Sequence, residues 1–271
     1  MTPHELFRAG RLADAIAAQI QEVKSRPADQ DARVALFVLL CFSGDLERAE
    51  NHLRVVSFDG EGANTGASVY HALLAAEYER RKVHQEAAHP VFPPDAPAIL
   101  AQRLAALHAC AAGDADAVQR DLSAAAEASA ALYGKRNGEA FDSVRDDDEI
   151  LGPILEIYAG GRCLWLPFAS IRRLVIAPPA RQLDLLWAQA ELEDAQGNQA
   201  TVHLPMLYAG SNAHADESVK LGHTTEWVDF GGVAFRGTGQ KILHTTAGAA
   251  EHETPYLEIR DLEIALDSQA G

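Results

Sequence analysis

The chain has 271 residues and carries 39 acidic against 23 basic side chains, a formal net charge of −16. Hydrophobic residues make up 48%, enough to bury a core, which excludes wholesale disorder. Nucleic acid and anionic membrane surfaces are bound through an excess of Lys and Arg, so neither suits this chain, and a basic partner surface fits better.

The acidity is uneven. Residues 1–140 hold 14 basic and 19 acidic side chains, residues 141–271 hold 9 and 20, so the two parts read as different objects. Cys41, Cys110 and Cys163 are far apart and form no CxxC pair, which supports neither a disulfide framework nor a zinc site. The N-terminus lacks a basic start followed by an apolar run. The longest apolar stretch, residues 34–42, is far short of the roughly 20 residues of a membrane span. A cytoplasmic location is the expectation.

Residues 2–133 read as helical, with apolar side chains recurring at spacings of three and four. Thr2-Pro3 predicts a helix start. Leu12, Ile16, Ile20 and Val23 form a stripe that ends near Pro27. Further helices are predicted over 31–42, from Asp45, over 67–83, over 96–112, and from Asp114 to about Leu132. Residues 88–95 form a proline-rich break. Residues 134–149 are polar and contain glycine, and read as an interdomain link.

The second half is punctuated by glycine, and its apolar runs are short. Leu155, Ile157 and Ala159 alternate with polar or amphipathic neighbours, Gly160-Gly161 follows, and a second run ends at Leu166. Such a pattern predicts a hairpin with a primed turn. A second hairpin is predicted from 185–192 through Gly197 to 200–207, with later strands near 225–229 and 256–259. The fold class is therefore α+β, with helices first and a mainly antiparallel β part after. The division is 1–135 helical, 136–149 linker and 150–271 β-rich.

Gly10-Arg-Leu-Ala-Asp-Ala15 and Gly44-Asp-Leu-Glu-Arg-Ala49 share G-x-L-x-x-A at an offset of 34 residues, the tetratricopeptide period. Gly113-Asp-Ala-Asp-Ala117 is a weaker third copy. The helical part therefore reads as tetratricopeptide-like, with a plain helical bundle as the alternative. Repeat arrays of this kind present a concave face to a peptide or helix.

Chemistry is sparse. Asp146-Asp147-Asp148-Glu149 lacks the alternating ligands and glycine of an EF-hand and reads as a solvated run. The histidines show no zincin pattern, and Ser211 and Ser218 lack a nucleophile elbow. Gly231-Gly232 and Arg236-Gly-Thr-Gly239 form no phosphate loop and read as turns. Trp165, Trp187 and Trp227 lie on predicted strands and read as core, although a partly exposed one would make an interface anchor. Glu77 and Arg80 share a helical face, as an ion pair or as a polar anchor in a groove.

Taken in order, several fragments resemble the ImpE/TagJ (SciE-type) family of type VI secretion accessory proteins. These are the two G-x-L-x-x-A copies, Ala76-Glu77-x-x-Arg80, Asp146-x-Asp148 leading to Leu151-Gly-Pro-Ile-Leu-Glu156, Trp165-x-Pro167-Phe168, Asp184-Leu-Leu-Trp187, Leu221-Gly-His-Thr-Thr-Glu-Trp227 and Gly237-x-Gly239-Gln240. His223 and Lys241 depart from the family pattern at positions where arginine is expected or common. The resemblance implies a non-enzymatic cytoplasmic adaptor with no catalytic residues, cofactor or metal. Its implied partner is the small subunit of the contractile sheath, bound through that subunit's N-terminal helix and linked to the sheath-recycling ATPase. The partner-binding candidates are Glu77, Arg80, Arg81, Trp165 and Trp227. On this reading, charge reversal at Arg80 or Arg81 weakens binding without unfolding the protein. The alternatives are a ligand- or metal-binding enzyme with a pocket between the domains, motivated by residues 146–149 beside Glu156 and Trp165, and a scaffold that self-associates through its β part.

Overall fold

A computed structural model describes residues 1–56, 63–127 and 132–265. Seven helices come first: α1 (Pro3–Arg8), α2 (Leu12–Ser25), α3 (Gln30–Ser43), α4 (Leu46–Leu53), α5 (Ala63–Gln85), α6 (Ala98–Ala112) and α7 (Ala115–Glu127). None of the described helices is long and apolar enough to cross a membrane. The repeated motif marks the turns between paired helices. Gly10, Gly44 and Gly113 all take positive φ, which a side chain resists. Leu12, Ala15, Leu46 and Ala49 are all buried, so the small alanines let the paired helices approach closely. Asp29 and Asp45 cap α3 and α4 by accepting backbone N–H groups.

The β part supplies β1 (Tyr133–Arg136), β2 (Glu139–Phe141), β3 (Ser143–Asp146), β4 (Ile154–Ala159), β5 (Arg162–Pro167), β6 (Ile171–Ile176), β7 (Trp187–Asp194) and β8 (Gln199–Pro205). A short α8 (Glu217–Lys220) precedes β9 (Thr225–Phe230), β10 (Ala234–Gly239), β11 (Ile242–Ala247), β12 (Ala250–Pro255) and β13 (Asp261–Ala265). Eight strands form one antiparallel sheet in the order β2-β1-β13-β6-β7-β8-β4-β5. Strands β12-β11-β3 form a second sheet, and β9 and β10 form a separate hairpin.

Two sequence expectations change here. The segment read as a linker, 136–149, contributes to β1, β2 and β3, and it is woven into both sheets. Its partners lie far along the chain, Arg136 opposite Leu262 and Asp146 opposite Leu243, so local polarity concealed the strands. The strand expected at 256–259 is a 3-10 turn, Tyr256–Glu258, and the strand itself begins at Asp261. Helix α7 is described as far as Glu127; its expected extension to about Leu132 falls on residues 128–131, outside the described residues.

Strand β4 divides two cores. Leu155 and Ile157 join a core that also contains Val144 and Leu243 from the smaller sheet. Ile154 and Tyr158 face the other way and join the core of the helices. The alternation around Leu155 is thus real, but the polar face of this strand meets α5 rather than water.

Candidate functional site

Glu77, Arg80 and His84 recur at three and four residues on α5, on the face turned to β4. Glu156 projects from β4 to meet them and is 1% exposed. Arg80 Nη2 donates to Glu156 Oε2 at 2.8 Å, and Arg80 Nε donates to the same oxygen at 3.1 Å. His84 Nε2 lies 2.8 Å from Glu156 Oε1, and Trp165 Nε1 donates to that oxygen at 3.3 Å. Lys241 Nζ, fully buried, donates to Glu156 Oε2 at 3.0 Å and lies 3.2 Å from Asp146 Oδ2. Asp146 also accepts from Tyr208 at 2.9 Å and Tyr256 at 3.0 Å.

These contacts set the charge states. Burial alone would raise the Glu156 carboxyl, but Arg80, Lys241 and His84 outweigh it and hold the group well below the carboxylate range. Burial lowers His84, with Glu156 opposing. Burial raises Asp146, with Lys241 opposing. The ammonium of Lys241 lies between the Asp146 and Glu156 carboxylates, each of which is also hydrogen-bonded to other groups within the protein. The cluster has the character of a structural lock between the helices and the sheet.

The carboxylates at 146–149 are correspondingly not a solvated run. Asp146 and Asp148 are fully buried. Asp148 Oδ1 accepts from the N–H groups of Ile150 and Leu151, and Oδ2 from Gly237 N and Arg236 Nε. Glu149 Oε2 accepts from Phe235 N at 2.6 Å, and Glu149 N donates to Phe235 O at 3.0 Å. The acidic run therefore pins the β9–β10 hairpin. Gly237 sits within β10, not in a turn, and a Cβ there would overlap the Tyr208 ring.

The pinned hairpin carries exposed apolar side chains. Trp227, Val228 and Phe235 are 37%, 55% and 51% exposed. Trp227 packs edge-on to Tyr208 with ring centroids 5.7 Å apart, which fixes the indole while leaving one side open. Among the described residues β9 has no strand on its outer side.

The sequence candidates separate accordingly. Arg80 (3% exposed) and Trp165 are buried in the lock, so the expectation that Arg80 presents itself to a partner is corrected: its guanidinium is consumed by Glu156 and by the carbonyl of Leu207. Glu77 is half-buried, accepts from Tyr158 and pairs with Arg81 at 3.1 Å. Arg81 is half-buried and also donates to Gly44 O, the carbonyl that ends α3. Trp227 is the candidate at the surface. Lys241, Tyr208, Tyr256 and His84 were not among the candidates. The spacing of His84, four residues after Arg80, is a local signal for it, and Lys241 stands out only as a departure from the family pattern.

A family model described as ImpE protein matches residues 138–263. Protein VPA1032 from Vibrio parahaemolyticus, known from its crystal structure, has the same fold, with a TM-score of 0.86 over 97% of each chain at 23% identity. The type VI secretion system accessory component TagJ of Pseudomonas aeruginosa is 35% identical over 264 residues, spanning 97% of this chain and 91% of that protein. Since the likeness runs through the helices as well as through the β part that the family model matches, the chain as a whole belongs to the ImpE/TagJ family of type VI secretion accessory components.

Proposed function

We propose that this chain is a non-enzymatic adaptor of type VI secretion that docks the N-terminal helix of the small contractile-sheath subunit and so links the sheath to its recycling ATPase. The observation that carries this reading is the β9–β10 hairpin. It exposes Trp227 and Phe235 on one face and Val228 on the other, on a strand pair pinned by Asp148 and Glu149. Exposed apolar side chains sharing a face of a rigid element, as Trp227 and Phe235 do, suit a binding surface. Family membership supports the accessory role. The helical face that the repeat nominates loses Arg80 as an anchor, because that side chain lies inside the protein.

The enzyme reading loses its motivation. The carboxylates that suggested it hold Lys241, Arg236 and backbone N–H groups. The test is capture of the sheath small subunit, with and without its N-terminal helix, by the full chain and by Phe235→Ser and Val228→Ser variants. The complete subunit should be retained, the truncated one lost, and Phe235→Ser weakened at unchanged melting temperature, while Val228→Ser, on the opposite face, reports whether that face is used. Equal recovery of both subunit forms would remove helix docking, and undiminished capture by Phe235→Ser would place the site elsewhere.

A further inference from the structure

At the foot of the hairpin a groove of about 470 Å³ lies between α7 and β3. Leu122, Ala126, Val144, Pro153 and Val233 give it apolar walls, and Arg103 and Arg145 line it as cations. Glu149 belongs both to its rim and to the backbone pairing that holds Phe235, so the groove is continuous with the exposed hairpin.

Arg103 is unusual. Of the three buried arginines, Arg80 pairs with Glu156 and Arg136 with Glu139. Arg103, 9% exposed, has no carboxylate within ion-pair distance among the described residues. Its Nη1 donates to the Glu149 carbonyl, and its Nε is buried with no acceptor. Burial, with the neighbouring charge of Arg145, lowers the guanidinium to about 10, although the more distant carboxylates of Asp148 and Glu149 oppose the shift. Arg145, by contrast, pairs with Asp147 at 3.1 Å. A larger groove on the outer face of the eight-stranded sheet also holds arginines, but Arg173 is satisfied there by Asp261 at 2.8 Å and Arg172 by Glu193 at 3.3 Å.

A buried guanidinium in a groove of mixed lining, with no carboxylate in direct contact, lacks the group that its planar fork fits best. We propose that the groove receives an acidic side chain from the apolar face of a partner helix, with Arg103 as its counterion. This rests on the adaptor reading and names the helix chemistry: apolar residues against the hairpin, and one Glu or Asp reaching Arg103. The local requirement is therefore the opposite of the one that the net charge of −16 suggests.

Octanoate serves as a carboxylate probe of the full chain and octylamine as its cationic counterpart, followed on the arginine Nε–H resonances. Octanoate should shift the Arg103 signal and bind Arg103→Met at least tenfold more weakly, and octylamine should leave the signal unmoved. Arg103→Met should fold, since it removes an unpaired buried cation, and should capture the sheath subunit at least tenfold more weakly. Leu122→Glu, which places a carboxylate in the groove, is the second variant and should weaken both interactions. An unmoved Arg103 signal, equal octanoate binding by Arg103→Met, or undiminished subunit capture by both variants would each overturn the proposal. Failure of the wild-type chain to capture any subunit would instead refute the adaptor reading, and the octanoate titration would still decide the carboxylate site.

Discussion

Lys241 Nζ lies 3.0 Å from Glu156 Oε2, with both side chains sealed from solvent between α5 and the two sheets. The same ammonium reaches Asp146 and stands about equally far from the rings of Tyr208 and Tyr256, at 5.6 and 5.5 Å from their centroids. Removing one member of a buried ion network strands the others, at a cost of about 3–5 kcal/mol. Lys241→Met is expected to lose that much in guanidinium denaturation. Adding Asp146→Asn should recover part of it, because the neutral amide no longer needs a cation. Additive losses in the double variant would show that Lys241 and Asp146 are not coupled.

Arg80 and Arg81 are neighbours in sequence with unequal expected costs of removal. Arg80→Ala leaves Glu156 with fewer donors and the Leu207 carbonyl without one, so a loss of about 3–5 kcal/mol is expected. Arg81→Ala removes a half-buried pair with Glu77 and the bond to Gly44 O, for about 1–2 kcal/mol. Thermal unfolding of the two variants side by side checks the ranking. If Arg80→Ala proved the milder of the two, the lock between helices and sheet would carry little of the stability.

Much of this architecture was readable residue by residue, because it rests on local rules. Gly160-Gly161 between alternating runs announced the β4–β5 hairpin, and Gly44 followed by Asp45 announced a helix stop and the next start. What escaped depends on distant partners. Arg80 could be placed beside Glu77 by helical spacing, but its principal partner is 76 positions away. The run 146–149 looks like a solvated stretch until Lys241, Tyr208, Tyr256 and Gly237 are brought around it. Trp227 was recognisable as a candidate anchor, whereas nothing local marked Arg103 as unpaired, since that depends on everything which fails to reach it.

Gly237 supplies a steric test of the hairpin. It stands opposite Trp227 in the β9–β10 register and lies over the Tyr208 ring. Gly237→Ala is expected to push the hairpin off Tyr208 and to cost about 1–3 kcal/mol by overpacking. Hydrogen exchange of the β9 and β10 amides should accelerate while the β7 and β8 amides stay protected. Uniform acceleration across both would mean that the hairpin does not open independently.

Acid should weaken the fold through His84 before it reaches the carboxylates. The buried imidazole is held below its ordinary value of 6.5, so between the two values the unfolded chain binds the proton and the folded one does not. The stability conferred by neutral His84 is therefore complete above pH 6.5 and lost as pH falls through the lowered folded value. Glu156 has the same sign further down: held well below 4.5, it gives up its contribution as pH falls from about 4.5 through the depressed value. Asp146 has the opposite sign, because its folded value is raised above 3.8 and its contribution fades as pH rises through that value. The window just below pH 6.5 thus belongs to histidine, with His52 and His203 also lowered by burial. Denaturant titrations should show stability flat above pH 7 and falling below 6.5, by at most about 1.4 kcal/mol per pH unit for each proton bound. His84→Gln preserves a donor to Glu156 but cannot take up the proton, so its curve should fall less steeply between pH 6.5 and 5. An unchanged slope in that variant would assign the acid sensitivity to the other two histidines.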